Sequence, residues 1–186
     1  LAAEYLRHHH GYARIAIVDF DVHHGNGTQH LFERRDDVLF ISLHQHPSYL
    51  FPGTGFGYER GEGPGQGYTL NIPFDPEAGD AHYTRAMSQW VAPMLAEFDP
   101  DFLLVSAGFD AAGADPLAQM QLSAHGFDWI ARFLKEQAEM HCGGRLLTVL
   151  EGGYDLRALA EAVSLYVQTL LMDEGEDGLM AAKAGL

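Results

Sequence analysis

Three stretches of this sequence set ionisable side chains among glycines: Asp19-Phe20-Asp21-Val22-His23-His24-Gly25-Asn26-Gly27, Ala107-Gly108-Phe109-Asp110 and Glu151-Gly152-Gly153-Tyr154. Asp21 and His23 are two apart, so in extended backbone their side chains point to the same side. Asp110 can join them from a neighbouring strand end. Two carboxylates and an imidazole make a three-ligand divalent site with a fourth position open for water, which is the catalytic rather than the structural zinc arrangement. The imidazole favours zinc or another transition metal over magnesium or calcium. On spacing alone an Asp-x-His pair is more often a turn or a surface pair, and it is the coincidence of three such stretches that argues for a site. Tyr154 reads either as a catalytic phenol or as a structural tyrosine packed on its own glycine loop. Gly25, Gly27, Gly108, Gly152 and Gly153 let the backbone turn sharply and a substrate come close.

A parallel sheet is what could bring these stretches together. Five short apolar runs read as strands: Arg14 to Asp19, Val38 to Leu43, Tyr68 to Ile72, Asp101 to Ser106 and Arg145 to Leu150. They lack clean polar alternation, as expected of strands covered on both faces. Helical spacing over Leu1 to His9, Gly27 to Arg34, Asp80 to Glu97, Ser123 to His141 and Leu156 to Met172 separates most of them, with Ser123 as an N-cap and Asp99-Pro100 as a stop. The expected class is α/β, a doubly wound, mainly parallel sheet. In such sheets ligands bind beyond the carboxyl ends of the strands, where the three stretches lie. Phe127, Trp129, Ile130 and Phe133 should pack on the sheet. The Gly- and Pro-rich stretch Gln45 to Gly67 is too long for a mere connector and should shape the site. Its glycines are weak support for a phosphate loop, since no helix follows in the required order. His8, His9 and His10 read as a solvated helix end, where cations are stabilised. His44, His46, His82, His125 and His141 are left as surface or core histidines.

The chain has 186 residues, 47% of them hydrophobic, with 26 acidic against 11 basic side chains and a formal charge of −15. Such a composition closes a core and argues against a surface that neutralises nucleic acid or anionic lipid. Cys142 is the single cysteine, which excludes an intrachain disulfide and fits a reducing, cytoplasmic setting. No apolar run approaches the roughly 20 residues of a membrane helix. The chain opens on Leu1 inside a helical pattern with no capping residue ahead of it, and it is read as lacking its N-terminal part. The acidic tail 173–186 is expected to be loosely ordered.

The stretches above, together with Ser42-Leu43-His44, Phe51-Pro52-Gly53-Thr54-Gly55 and Asp115-Pro116-Leu117, resemble the zinc-dependent histone deacetylase superfamily, which also contains acetylpolyamine amidohydrolases and acetoin-utilisation proteins. The match runs in order from Leu1 to about Met172. It implies the arginase/deacetylase fold, with 1–172 as the C-terminal portion of a single deacetylase catalytic domain. It further implies one zinc ion per chain on Asp21, His23 and Asp110, with Tyr154 hydrogen-bonding the substrate carbonyl. Phe51, Leu117, Gly152 and Gly153 are implied to line the substrate tunnel. Asp19, the Ser42 hydroxyl, the Leu43 carbonyl and backbone oxygens of Asp21 and His23 resemble a potassium or sodium site. A second such site would use carbonyls of Phe32, Arg35, Val38 and Tyr68. Asn26, placed just outside the zinc ligands, and the Leu-Glu-Gly-Gly-Tyr form look like the class II and bacterial branch.

The resemblance implies removal of acetyl or other short acyl groups from an acylated lysine peptide or protein or from an acylated small amine, with no direct nucleic acid or membrane partner. The homo-oligomeric state is left open. Leu117 is apolar where a carboxylate would suit a polycation, which tilts the expectation from acetylpolyamines towards acyl-lysine. The family's paired histidines, in a Gly-His-His motif upstream of the first strand seen here, have no counterpart in the chain. The expectations are therefore a hydrolase whose activity needs more than this fragment or, as the alternatives, an acetylpolyamine amidohydrolase or a non-catalytic acyl-lysine binder.

Overall fold

A computed structural model describes residues 1–172, so the expected acidic tail 173–186 lies outside the described residues. The elements run α1 (Ala2–His10), β1 (Ile15–Asp19), α2 (Asn26–Phe32), β2 (Val38–Gln45), β3 (Thr69–Phe74), α3 (Asp80–Ala86), α4 (Ala92–Phe98), β4 (Phe102–Ala107), α5 (Ala124–Cys142), β5 (Leu146–Leu150) and α6 (Leu156–Leu171). The strands form one parallel sheet in the order β3-β2-β1-β4-β5. Its register sets Asp19, the last residue of β1, beside Ser42 and Ser106.

Alternation along the strands feeds two apolar layers, as a doubly wound sheet requires. Ile15, Ile17, Val38, Phe40 and Leu104 meet Ala3 and Phe32 from α1 and α2. Ala16, Val18, Leu39, Ile41, Leu43, Leu103 and Val105 turn the other way, onto Phe127, Ile130, Leu134 and Tyr166 of α5 and α6. Each buried Val, Leu, Ile or Phe among them contributes about 1.5–3 kcal/mol. β5 departs from the expectation of covered strands. It is an edge, and Leu147, Val149 and Leu150 are 44, 47 and 58% exposed.

The helix expected over Asp80 to Glu97 is interrupted by a π-helical turn at Met87–Val91. Pro93, in the first turn of α4, has no N–H for the Gln89 carbonyl, and the wider turn accommodates its ring without breaking the helical path. Asp99 then ends α4 in the left-handed conformation, ahead of Pro100. Ser123 caps α5 as expected, its hydroxyl accepting the Gly126 N–H at 3.1 Å, and Asp155 caps α6 by accepting from Arg157 and Ala158. The segment between β2 and β3 holds only a single 3-10 turn, Gly63–Gly65. No helix among the described residues is long and apolar enough to cross a membrane.

Candidate metal centre

The carboxyl ends of β1, β4 and β5 converge. Asp21 and His23 follow β1, Asp110 follows β4, and one ligand atom from each lies within 4.8 Å of the other two. The His23 Nδ1 sits 3.0 Å from Asp21 Oδ1 and 3.1 Å from Asp110 Oδ2. Backbone donors fix the carboxylates: the Val22 N–H donates to Asp110 Oδ1 at 2.9 Å, the His23 N–H to Asp21 Oδ1 at 2.8 Å, and the Gly152 N–H to Asp21 Oδ2 at 2.8 Å. Two glycines make room for them. A Cβ at Gly108 would lie 2.3 Å from Asp21 Oδ2, and one at Gly152 would lie 2.1 Å from Asp110 Oδ2.

Charge at the centre is arranged around a cation. Hydrogen bonds to Asp110 and then Asp21 raise the His23 imidazole to about 10, so its Nδ1 proton is shared between two carboxylates. Burial works to raise the Asp21 carboxyl, but the bonds from His23 and Gly152 outweigh it and hold Asp21 below its usual range. Asp110, with no exposed surface, is raised by burial. An imidazolium facing two carboxylates is a donor set that a divalent metal could take over by displacing the proton. The residues present therefore fit the zinc site that the sequence leads one to expect.

Asp19 lies beneath this centre, 4% exposed, and burial followed by the charge of Asp21 raises its carboxyl well above the usual range. Its Oδ1 accepts the Asp21 N–H at 3.1 Å, and a Cβ at Gly25 would strike its Oδ2. Ser42 and Leu43, both fully buried, lie alongside. The Gly55 carbonyl accepts from His44 Nε2 at 2.8 Å, so His44 Nδ1 must accept the Ser42 hydroxyl proton, also at 2.8 Å. That leaves the Ser42 oxygen lone pairs for another partner.

Sequence reasoning missed the buried polar network beside this pair. His24, 4% exposed, bonds Thr54 through Nδ1 and Gln29 through Nε2, both at 2.9 Å. Gln29 donates to Glu59, which also accepts the Gly55 and Phe56 N–H groups. The network ties the ligand-bearing loop to the Gly- and Pro-rich segment. The signal available was Gln29, three residues before Phe32 and so on the same buried face of α2.

The remaining expected residues scatter around the centre. Tyr154 follows the Gly152-Gly153 pair and is 51% exposed; slight burial and then the carboxylates of Asp110 and Asp21 raise its phenol. Phe51 and Leu117 are exposed. Asn26 opens α2 on the surface, with its N–H donating to the His24 carbonyl. His8, His9 and His10 end α1 on the surface ahead of β1, at the opposite end of the sheet.

The chain is similar to known proteins over most of its length. Residues 1–170 match the family model for the histone deacetylase domain. A probable deacetylase of Archaeoglobus fulgidus is 43% identical over 175 residues, which is 94% of this chain and 45% of that protein. A histone deacetylase-like amidohydrolase of Pseudomonas aeruginosa is 46% identical over 154 residues, covering 83% of this chain and 40% of its own. The crystal structure of an acetylpolyamine aminohydrolase from Burkholderia pseudomallei superposes with a TM-score of 0.83 at 33% identity, over 91% of this chain and 47% of that one. The chain thus spans about half the length of these proteins or slightly less.

Proposed function

The chain belongs to the histone deacetylase domain family and has its arginase/deacetylase α/β fold, and from that premise we propose that this protein is a zinc-dependent amidohydrolase removing acetyl or other short acyl groups from acylated lysine. One observation carries the reading. Asp21, His23 and Asp110 converge on one point, and the loop bearing Tyr154 is hydrogen-bonded to the same Asp21 carboxylate that faces that point.

Asp21, His23 and Asp110 would hold a single zinc ion and leave a coordination position free. When bound, the ion supplies Lewis acidity towards an amide carbonyl and towards water. The Tyr154 O–H donates to the carbonyl oxygen as it gains charge, a contact whose loss typically costs roughly 10²–10³ in rate. A potassium or sodium ion held by Asp19, Ser42 and the Leu43 carbonyl would offset the charge that burial disfavours at Asp19. His24 and His44 are not the base that deprotonates water, because each has both ring nitrogens committed to hydrogen bonds. The family resemblance assigns that base to a histidine pair upstream of β1.

Leu117, apolar and exposed, supports an acyl-lysine substrate over an acetylpolyamine. The net charge of −15 and the likeness to an acetylpolyamine aminohydrolase favour the second reading, a polycationic amine. The test is acetate release by the intact protein from an acetyl-lysine peptide and an acetylpolyamine in parallel. Faster turnover of the peptide, abolished by Asp110→Ala, is the expected result; faster turnover of the polyamine would move the substrate to that class. If zinc stays bound and neither is cut, the weight moves to a non-catalytic acyl-lysine binder or to a different acyl substrate.

A further inference from the structure

Asp115 is 6% exposed, and a carboxylate so buried is usually matched by a basic side chain. Its hydrogen bonds come instead from backbone N–H groups. One oxygen accepts from Leu117 at 2.9 Å, closing the turn at Asp115-Pro116-Leu117. The other accepts from Tyr154 at 2.7 Å and from Asp155 at 3.4 Å, across 39 and 40 residues of sequence. Its own N–H donates to the Ala112 carbonyl at 2.9 Å, which ties it to the segment that begins with Asp110.

Tyr154 needs such an anchor. Gly153 holds φ at +141°, where residues with a Cβ are strained, so the loop bends just ahead of the tyrosine. Its ring is half exposed. Before the bend, the Gly152 N–H is held by Asp21 and its carbonyl accepts the Phe109 N–H at 2.8 Å. Beyond it, Asp155 caps α6. Between these fixed points the Tyr154 main chain is tied to Asp115 by a short, charge-assisted bond, stronger than a neutral one.

We propose that Asp115 is the positioning residue for Tyr154: its carboxylate clamps the main chain of residues 154 and 155 so that the phenol stays aimed at the centre formed by Asp21, His23 and Asp110. The inference rests on the catalytic reading of Tyr154. It differs from a plain turn-stabilising role for Asp115, which the Leu117 bond alone would satisfy.

The experiment uses the intact, zinc-loaded protein carrying Asp115→Asn or Asp115→Ala, each alone and combined with Tyr154→Phe. A parallel set carries 3-fluorotyrosine at position 154 for fluorine NMR. In the single variants kcat should fall roughly 10- to 100-fold while KM stays within about threefold, the scale expected of a group displaced by about an ångström. Bound zinc should stay unchanged and the fluorine line should shift or broaden. In the Tyr154→Phe background the same changes should cost less than about twofold more, because the group they position is gone. Losses that multiply in that background, or an unmoved fluorine line, would overturn the proposal. Should Asp115→Ala fail to fold, the near-isosteric Asp115→Asn answers the same questions. Should Tyr154→Phe leave turnover intact, the catalytic role of the phenol fails, and the fluorine line still reports whether Asp115 holds it.

Discussion

His23, His24 and His44 all lie within or beside the centre, and their surroundings push them in opposite directions. Two carboxylates raise His23 to about 10, whereas burial lowers His24 and takes His44 to about 4. His44 is therefore neutral in the fold at pH values where a histidine of the unfolded chain, near 6.5, is already protonated. Its contribution to stability is complete above about pH 6.5 and is lost as pH falls towards 4, by up to roughly 3 kcal/mol. Urea unfolding midpoints between pH 4 and 7 should consequently fall less steeply with acid for His44→Asn than for the parent. Parallel curves would count against this account. The convergence of Asp21, His23 and Asp110 was legible because three stretches combining ionisable side chains with glycines coincide at strand ends, which no single Asp-x-His pair would have shown. His44 was not, since its burial depends on the Gly55 carbonyl reaching it from a loop 11 residues away.

Among the elements, the glycines at the strand ends divide sharply by what surrounds them. A Cβ at Gly152 would enter the space of both carboxylates, 2.1 Å from Asp110 Oδ2 and 2.7 Å from Asp21 Oδ2, while one at Gly27 would meet nothing within 4 Å. Gly152→Ala should therefore weaken zinc binding by roughly 10- to 100-fold, the range seen when the groups supporting metal ligands are disturbed. Gly27→Ala, inside α2, should leave zinc affinity alone and add up to about 1 kcal/mol of stability. Competition against a chelator measures both, and equal affinities for the two variants would contradict the crowding argument. Composition alone marks both glycines as turn residues, because what separates them is the neighbouring strand. Strand and helix bounds, by contrast, were readable within a residue or two at most ends, from apolar runs and from local stops such as Asp99-Pro100. The π-helical turn was not, because Pro93 inside a helical pattern signals a break without saying how the helix absorbs it.

Viewed whole, the sheet is sealed in its middle and ends in two edge strands, β3 and β5, of which β5 exposes more apolar surface. β1 and β2 are buried throughout, but β5 leaves its outer edge unpaired among the described residues, with Leu147, Val149 and Leu150 exposed on it. Such an edge invites pairing with another strand. The 186-residue chain prepared alone should self-associate with rising concentration despite its charge of −15, and Val149→Lys should raise the monomer fraction in sedimentation. Association untouched by that change would place the sticky surface elsewhere. The order of the strands carries a further consequence, in time rather than in space. His23 and Asp110 are 87 residues apart and become neighbours only when β1 and β4 pair at the centre of the sheet. Closing so long a loop is among the slower steps available to a folding chain. A metal ion offered during refolding would meet Asp21 and His23 alone until that step is over, so metal uptake would follow the completion of the sheet and act as its clock.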